Sequence, residues 1–333
     1  MHSGRARLNQ MIAGYWLSQM TYVAARLNLA DLLASGPRTV ADLAAHTQCH
    51  PRSLGRLLRG LASVGLFAEH APGTFGMTPD AEFLRDDHPE TVRPMALMMG
   101  GVQYQAWGDL LHSVQTGETG FEHRFGKPLF DYLAEQPEQA AVFDRAMVAI
   151  HGGETAAILD AYDFSGFRRI IDVGGGNASQ LIEMLGRHPT LTGAVFDLPH
   201  VAERAAQSLR TAGLTERGQA VGGSFFESIP GGADAYLLRH IIHDWDDQKS
   251  VQILQRVRAA MPPQGKLLVI ETVIPPGNDP SFAKLLDLTM LVIPGGVERT
   301  EPEYRELYAG AGFQLTRIVS TAAGVDVIEG VPA

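Results

Sequence analysis

The segment Arg169-Ile170-Ile171-Asp172-Val173-Gly174-Gly175-Gly176-Asn177-Ala178 constrains the fold more than any other part of the chain. Its apolar run from Ile170 to Val173 suits a buried strand, and the glycines after it let the backbone turn sharply and approach a ligand with no Cβ in the way. From Arg168 onward, apolar runs alternate with helical patterns, the signature of a parallel sheet covered on both faces. A dinucleotide fingerprint needs G-x-G-x-x-G/A, whereas here Gly174 and Gly176 are followed by Ala178 and then Ser179. The remaining D-x-G-x-G-x-A suits a nucleoside that carries an amino acid in place of a pyrophosphate. Asp197, 23 residues beyond Gly174, closes the next apolar run, Ala194-Val195-Phe196. A carboxylate there can accept hydrogen bonds from both hydroxyls of a ribose. The same glycines also serve a plain strand-to-helix turn in any α/β domain, so the loop alone decides nothing.

At 333 residues the chain is long enough for two domains, each with its own core. A formal net charge of −10 argues against general affinity for nucleic acid or anionic membranes. The one cysteine, Cys49, excludes an internal disulfide framework and fits a reducing compartment. The opening His2-Ser3-Gly4-Arg5-Ala6-Arg7 is charged, but the apolar stretch behind it is interrupted by Gln19, Arg26 and Asn28, a poor signal peptide. No run approaches the roughly 18 to 20 apolar residues of a membrane span. These features read as a soluble cytoplasmic protein.

Leu8, Ile12, Trp16, Met20, Val23 and Leu27 recur at helical spacing, which predicts one or two amphipathic helices over residues 5 to 34. Thr39-Val40-Ala41-Asp42 resembles a capping box with Asp in place of Glu, and Pro51 opens a second helix carrying Leu54, Leu57, Leu58 and Leu61. Phe67 and Phe75 flank a short hairpin turning at Ala71-Pro72-Gly73. Helix, helix, hairpin is a winged-helix outline. Arg52, Arg56 and Arg59 on the second helix would suit DNA, but three arginines are a thin patch on so acidic a chain, which favours a fold reused for dimerisation. Residues 101 to 165 read as helical, with Phe121, Phe125, Phe130, Phe143 and Met147 spaced through them. Gln314 to Thr321 and Val325 to Val331 read as an antiparallel terminal pair.

Three later segments add to the glycine loop. Ser224-Phe225-Phe226 precedes the strand Ala235-Tyr236-Leu237-Leu238, which runs into Arg239-His240-Ile241-Ile242-His243-Asp244-Trp245. Leu267-Leu268-Val269-Ile270-Glu271 and then Pro294-Gly295-Gly296-Val297-Glu298-Arg299-Thr300 follow. Together they resemble the S-adenosylmethionine-dependent O-methyltransferases of the plant caffeate and bacterial antibiotic or phenazine type, over nearly the whole chain. The resemblance implies an α/β fold: a Rossmann-like methyltransferase sheet over 101–333, with 101–165 a helical linker and pocket segment, behind a winged-helix dimerisation domain over residues 1 to about 100. It implies a homodimer, S-adenosylmethionine as cofactor, and a small hydroxylated aromatic or polyketide-like acceptor.

By the same resemblance, His243 is the general base, with Glu271 and Glu298 flanking and orienting it. The cofactor falls to Asp172, Gly174, Gly175, Gly176, Asp197, Leu198, Ser224, Phe225, Arg239 and Asp244. Phe143, Met147, Met290 and Ile293, with Val292, are implied to wall the acceptor pocket, although they serve equally as core. Two positions depart from the family pattern: Ala178 stands where the loop usually ends in glycine, and Ser224 replaces an aspartate that contacts adenine. The second change exchanges a charge-assisted hydrogen bond for a neutral one, costing on the order of 1 kcal/mol of cofactor binding. A histidine of pKa about 6.5 can take a phenol's proton as attack proceeds. His240, His243 and the nearby aspartates also allow a metal reading, which the resemblance disfavours. Hydroxylation by a cofactor-binding relative and a ligand-sensing winged-helix regulator remain as alternatives.

Overall fold

The computed structural model describes residues 4–333, so His2 and Ser3 of the leader reading lie outside the described residues. The chain divides into two compact units that interleave: one runs to Leu110 and takes in Phe121–Gly152, the other joins Leu111–Gly120 to Gly153–Ala333. The sequence reading drew a single boundary near residue 100.

The first unit opens with helices Gly4–Ile12, Gly14–Arg26 and Leu29–Leu33, three where the spacing predicts one or two. Asn28, at φ 53°, makes the last break, a left-handed conformation that asparagine tolerates better than most residues. The helix Val40–Thr47 starts on Thr39, whose hydroxyl accepts from the Asp42 amide at 3.2 Å, and Pro51–Ser63 follows. Strands β1 (Arg38–Thr39), β2 (Phe67–Ala71) and β3 (Thr74–Met77) form an antiparallel sheet in the order β1-β3-β2. Leu29, Leu43, Leu58, Leu61, Phe67 and Phe75 fill the core of this winged-helix unit. Leu8, Ile12 and Trp16 of the predicted apolar stripe are instead exposed, and the first helix buries no residue within this chain.

In the second unit, β4 (Arg169–Val173), β5 (Thr192–Asp197), β6 (Gly218–Gly222), β7 (Ala235–Arg239) and β8 (Lys266–Glu271) are parallel neighbours. Two short strands, β9 (Val273–Ile274) and β10 (Arg299–Thr300), pair apart from them. Strands β11 (Phe313–Ser320) and β12 (Asp326–Pro332) are the expected antiparallel pair, giving the order β11-β12-β8-β7-β4-β5-β6. Successive residues serve opposite faces: Ile171, Tyr236 and Val269 pack under helices Asp247–Ala260 and Glu301–Gly310, whereas Ile170, Leu237 and Leu268 pack under Ser179–Arg187 and Pro199–Thr211. The chain order reverses at β4, which lies between β5 and β7. In such sheets the crevice beyond the strand ends at this point is where ligands bind. Gly174, Asp197, Arg239 and Glu271 all lie at those ends.

Candidate active site

The turn after β4 is built by close approach. A Cβ on Gly175 would lie 2.6 Å from the Asp172 carboxylate, and one on Gly174 would lie 2.3 Å from the Ile241 side chain. Gly174 and Gly176 also have φ of 73° and 57°, a region where L side chains are strained. Asp197 is fixed at both oxygens: Gly176 N–H donates to Oδ2 at 3.0 Å and Leu198 N–H to Oδ1 at 2.7 Å. A carboxylate has about four lone-pair sites, so each oxygen keeps one for an incoming hydroxyl. Asp172 is buried with Oδ2 unpartnered. Burial raises its carboxyl to about 6, opposed by the charge of Arg239 and reinforced by that of Asp197. A ligand ammonium is the chemistry such an oxygen lacks, and a ribose diol is what the anchored Asp197 can receive. The residues present therefore fit S-adenosylmethionine.

Ala178 has φ 69° with its methyl fully buried. The cost of an alanine at this position thus lies in the backbone. Ala178→Gly should relieve about 1 to 2 kcal/mol of left-handed strain, against about 0.8 for the lost methyl and about 0.5 to 1 for a freer unfolded chain. Stability by urea denaturation should stay within about 1 kcal/mol of the parent; a loss of about 3 would show that the methyl's packing dominates.

Glu271, fully buried at the end of β8, holds the loop that follows the neighbouring strand β7. Its Oε1 accepts from the backbone N–H groups of Ile241, Ile242 and His243 at 3.1, 3.0 and 3.3 Å. This capped turn presents His243 with Nδ1 2.7 Å from Glu298 Oε1 and 3.4 Å from Glu271 Oε2. Burial opposes a charged imidazole, yet the charge of Glu271, the hydrogen bond to Glu298 and the charge of Asp244 together raise His243 to about 10. That is the main departure from the sequence reading, which assumed an ordinary histidine. Burial raises the Glu298 carboxyl against the pull of His243, while on Glu271 the histidines outweigh burial and hold the carboxyl low. Asp244 lies on the other side of the ring, Oδ1 3.7 Å from Nε2, and burial lifts it to about 6 against the opposing charge of His243.

Glu298 reaches His243 because the chain before it passes against the histidine's own backbone. A Cβ on Gly296 would lie 1.9 Å from the His243 carbonyl oxygen, and Val297 N–H donates to that oxygen at 2.8 Å. Arg299, whose role sequence reasoning missed, is buried and donates to the carbonyls of Ile242, Val297 and Trp245 and to Asp247. Directly after it, Thr300 and Glu303 form a capping box that starts the helix Glu301–Gly310.

Of the other cofactor residues, Phe225 meets the Trp245 ring edge-on with centroids 6.2 Å apart, and the Ser224 hydroxyl accepts from Phe226 N–H at 3.3 Å. Arg239 donates to the Thr155 hydroxyl at 2.9 Å. Met290 is half-buried and lends its carbonyl to Gly295 and Gly296, while Val292 and Ile293 are buried. Phe143 and Met147 belong to the other unit, half-buried on the helix Pro137–His151. His240, His243 and Glu271 bring ligand atoms within 4.8 Å of one another, so Glu271 stands where the sequence reading set the nearby aspartates beside the two histidines.

Residues 107–314 match the O-methyltransferase domain family and residues 9–87 its dimerisation domain. The chain is 47% identical over 325 residues to phenazine O-methyltransferase PhzM of Lysobacter antibioticus, covering 98% of this chain and 95% of that protein. It is 36% identical over 299 residues to aclacinomycin 10-hydroxylase RdmB of Streptomyces purpurascens, covering 88% and 80%. Among solved structures, LaPhzM superposes with a TM-score of 0.92 at 46% identity over 100% of both chains. NcsB1 from neocarzinostatin biosynthesis, solved with S-adenosylmethionine and 2-hydroxy-5-methyl naphthoic acid, gives 0.82 at 36% over 95% and 96%. The chain belongs to this family of O-methyltransferases, and S-adenosylmethionine is its cofactor. Among the described residues, no helix is long and apolar enough to cross a membrane.

Proposed function

We propose that the chain methylates a hydroxyl of a small aromatic or polyketide-like metabolite, with His243 taking the acceptor's proton. The observation that carries this reading is the buried His243–Glu298 pair at 2.7 Å, standing beyond the same strand ends as the Gly174 loop. S-adenosylmethionine supplies an electrophilic methyl carbon on a charged sulfur. In this reading Asp172 binds its ammonium, Asp197 its ribose, and Gly174, Gly175 and Gly176 let it approach. Leu198, Ser224, Phe225, Arg239 and Asp244 complete that side, and Met290 and Ile293 offer apolar surface to the acceptor. The protein's task is then to align the reactants and manage one proton. An imidazole of pKa about 10 holds a proton about as tightly as a phenol does, so the transfer between them is close to balanced. The exposed Met11, Ile12 and Trp16 of the dimerisation domain, with Leu8 just before it, support a homodimer that covers them.

The test is incubation with methyl-labelled S-adenosylmethionine and a panel of hydroxyphenazines, phenolic acids and hydroxyquinones. Label should appear on an acceptor oxygen, and a chelator should leave the rate unchanged. The kinship to a named hydroxylase favours one second reading, an oxygenated product without label, and that outcome would replace the first. Activity lost to chelator and restored by zinc or magnesium would assign the His240, His243 and Glu271 cluster to a metal instead. Asp197→Ala should weaken S-adenosylmethionine binding by roughly 1.5 to 3 kcal/mol, about 10- to 150-fold by calorimetry. Unchanged affinity would remove Asp197 from the site.

A further inference from the structure

His240 is held in a way that the family's base and its two glutamates do not require. Its Nε2 lies 2.8 Å from Glu154 Oε2, and its Nδ1 lies 3.5 Å from Glu271 Oε2, the same oxygen that His243 Nδ1 approaches at 3.4 Å. The two rings are 5.3 Å apart, centre to centre. His240 also adopts φ 53°. A non-glycine residue in that region is uncommon and persists only where its surroundings enforce it, a pattern that concentrates at functional sites. Here Glu271 Oε1 fixes the three N–H groups that follow. The result is a buried row of alternating acids and imidazoles: Glu154, His240, Glu271, His243, Glu298.

We propose that His240 is a positioning residue: clamped by Glu154, it shares the Glu271 carboxylate with His243 and so limits how tightly His243 holds its proton. This rests on the reading of His243 as the proton acceptor. Burial works against a charged His240, but the hydrogen bonds to Glu154 and Glu271 outweigh it and raise its pKa. A second cation beside His243 disfavours charge on His243 and neutralises part of Glu271. Within this unit the groups facing the pair are Glu154 on the helix Glu154–Ala161, Glu271 at the end of β8, Asp244 on the turn, and Glu298 before β10, with Tyr304 of the helix Glu301–Gly310 buried near both glutamates. Without His240, the carboxylates bear on His243 alone.

The test is His240→Asn, because asparagine tolerates the left-handed backbone and carries no charge. The His243 ring is titrated by NMR on histidine-labelled protein, its signal assigned by its absence from His243→Ala. The His243 midpoint should rise by about one pH unit or more, as expected for removing a charge about 5 Å away in a protein interior. In parallel, kcat/KM against pH should shift the same way while the KM for S-adenosylmethionine holds. Should His240→Asn fail to fold, Glu154→Gln gives the same comparison: His240 loses the partner that keeps it charged, and the His243 midpoint moves in the same direction by less. An unmoved midpoint overturns the proposal whatever turnover does. A midpoint that moves while turnover at every pH stays the same overturns the role of His243 in proton handling, and the proposal with it.

Discussion

Replacing His243 by alanine should lower turnover of a neutral phenol by about 100- to 10,000-fold, the usual range for a lost general base. Cofactor affinity should change little, because Asp172, Asp197 and the glycine turn lie at β4 and β5 while His243 stands on the turn after β7. The pH dependence follows from the charge state. With its pKa near 10, His243 is protonated in the free protein at neutral pH. To act, His243 must therefore first give up its own proton to solvent and then take the phenol's, which leaves phenolate and imidazolium in the reactive complex. The sign follows: that complex carries one proton fewer than free protein plus phenol, so kcat/KM should rise about tenfold per pH unit below both pKa values. Glu298→Gln should act in the same direction as the alanine change but less, because it removes the charge at the 2.7 Å contact, where an amide oxygen can still accept from Nδ1, and leaves the ring and Glu271. Rates of wild type, His243→Ala and Glu298→Gln from pH 6 to 9, beside calorimetry of S-adenosylmethionine, check all of this.

Gly296→Ala should also lower turnover, by a different route. A methyl there would stand 1.9 Å from the His243 carbonyl oxygen and 2.9 Å from the Asp244 Cα, both backbone atoms that no rotamer change can move aside. The segment Pro294 to Glu298 must then back away, breaking the Val297 to His243 hydrogen bond and drawing Glu298 off the imidazole. Overpacking of this kind costs roughly 1 to 3 kcal/mol of stability, and the displaced Glu298 should reduce turnover by about 100-fold. Thermal unfolding and steady-state rates read the two effects separately. A variant of wild-type activity would mean that this loop is not what holds Glu298 in place.

The parts legible in the sequence were those with a local cause. The run Ile170 to Val173 followed by glycines is a strand and a ligand-approach turn by its own chemistry, and the alternation after it marks a parallel sheet. The motif segments around His243, Glu271 and Glu298 were recognisable because each is short and unbroken. What stayed hidden depends on segments meeting. The proton affinity of His243 is set by carboxylates 28 and 55 residues away along the chain, and nothing in H-D-W encodes their distance. The hold of Glu271 on three successive N–H groups, the buried Arg299 clamp and the left-handed backbone at Ala178 and His240 are likewise products of closure. The interleaving of the two units escaped for the same reason, since residues 101 to 165 read as one helical stretch whichever unit each part joins. In the first helices, periodicity revealed an apolar stripe, but only the fold reveals that this chain does not bury it.

The role proposed for His243 is to manage the acceptor's proton. The direct measurement is turnover of wild type and His243→Ala against aromatic acceptors of graded hydroxyl pKa at one pH. The loss on mutation should be largest for acceptors of pKa near 10 and shrink as they become ionised at the assay pH, leaving only what the ring contributes to positioning. An equal loss across the whole series would contradict the account, because a base that removes no proton from an ionised acceptor cannot be missed equally by all of them.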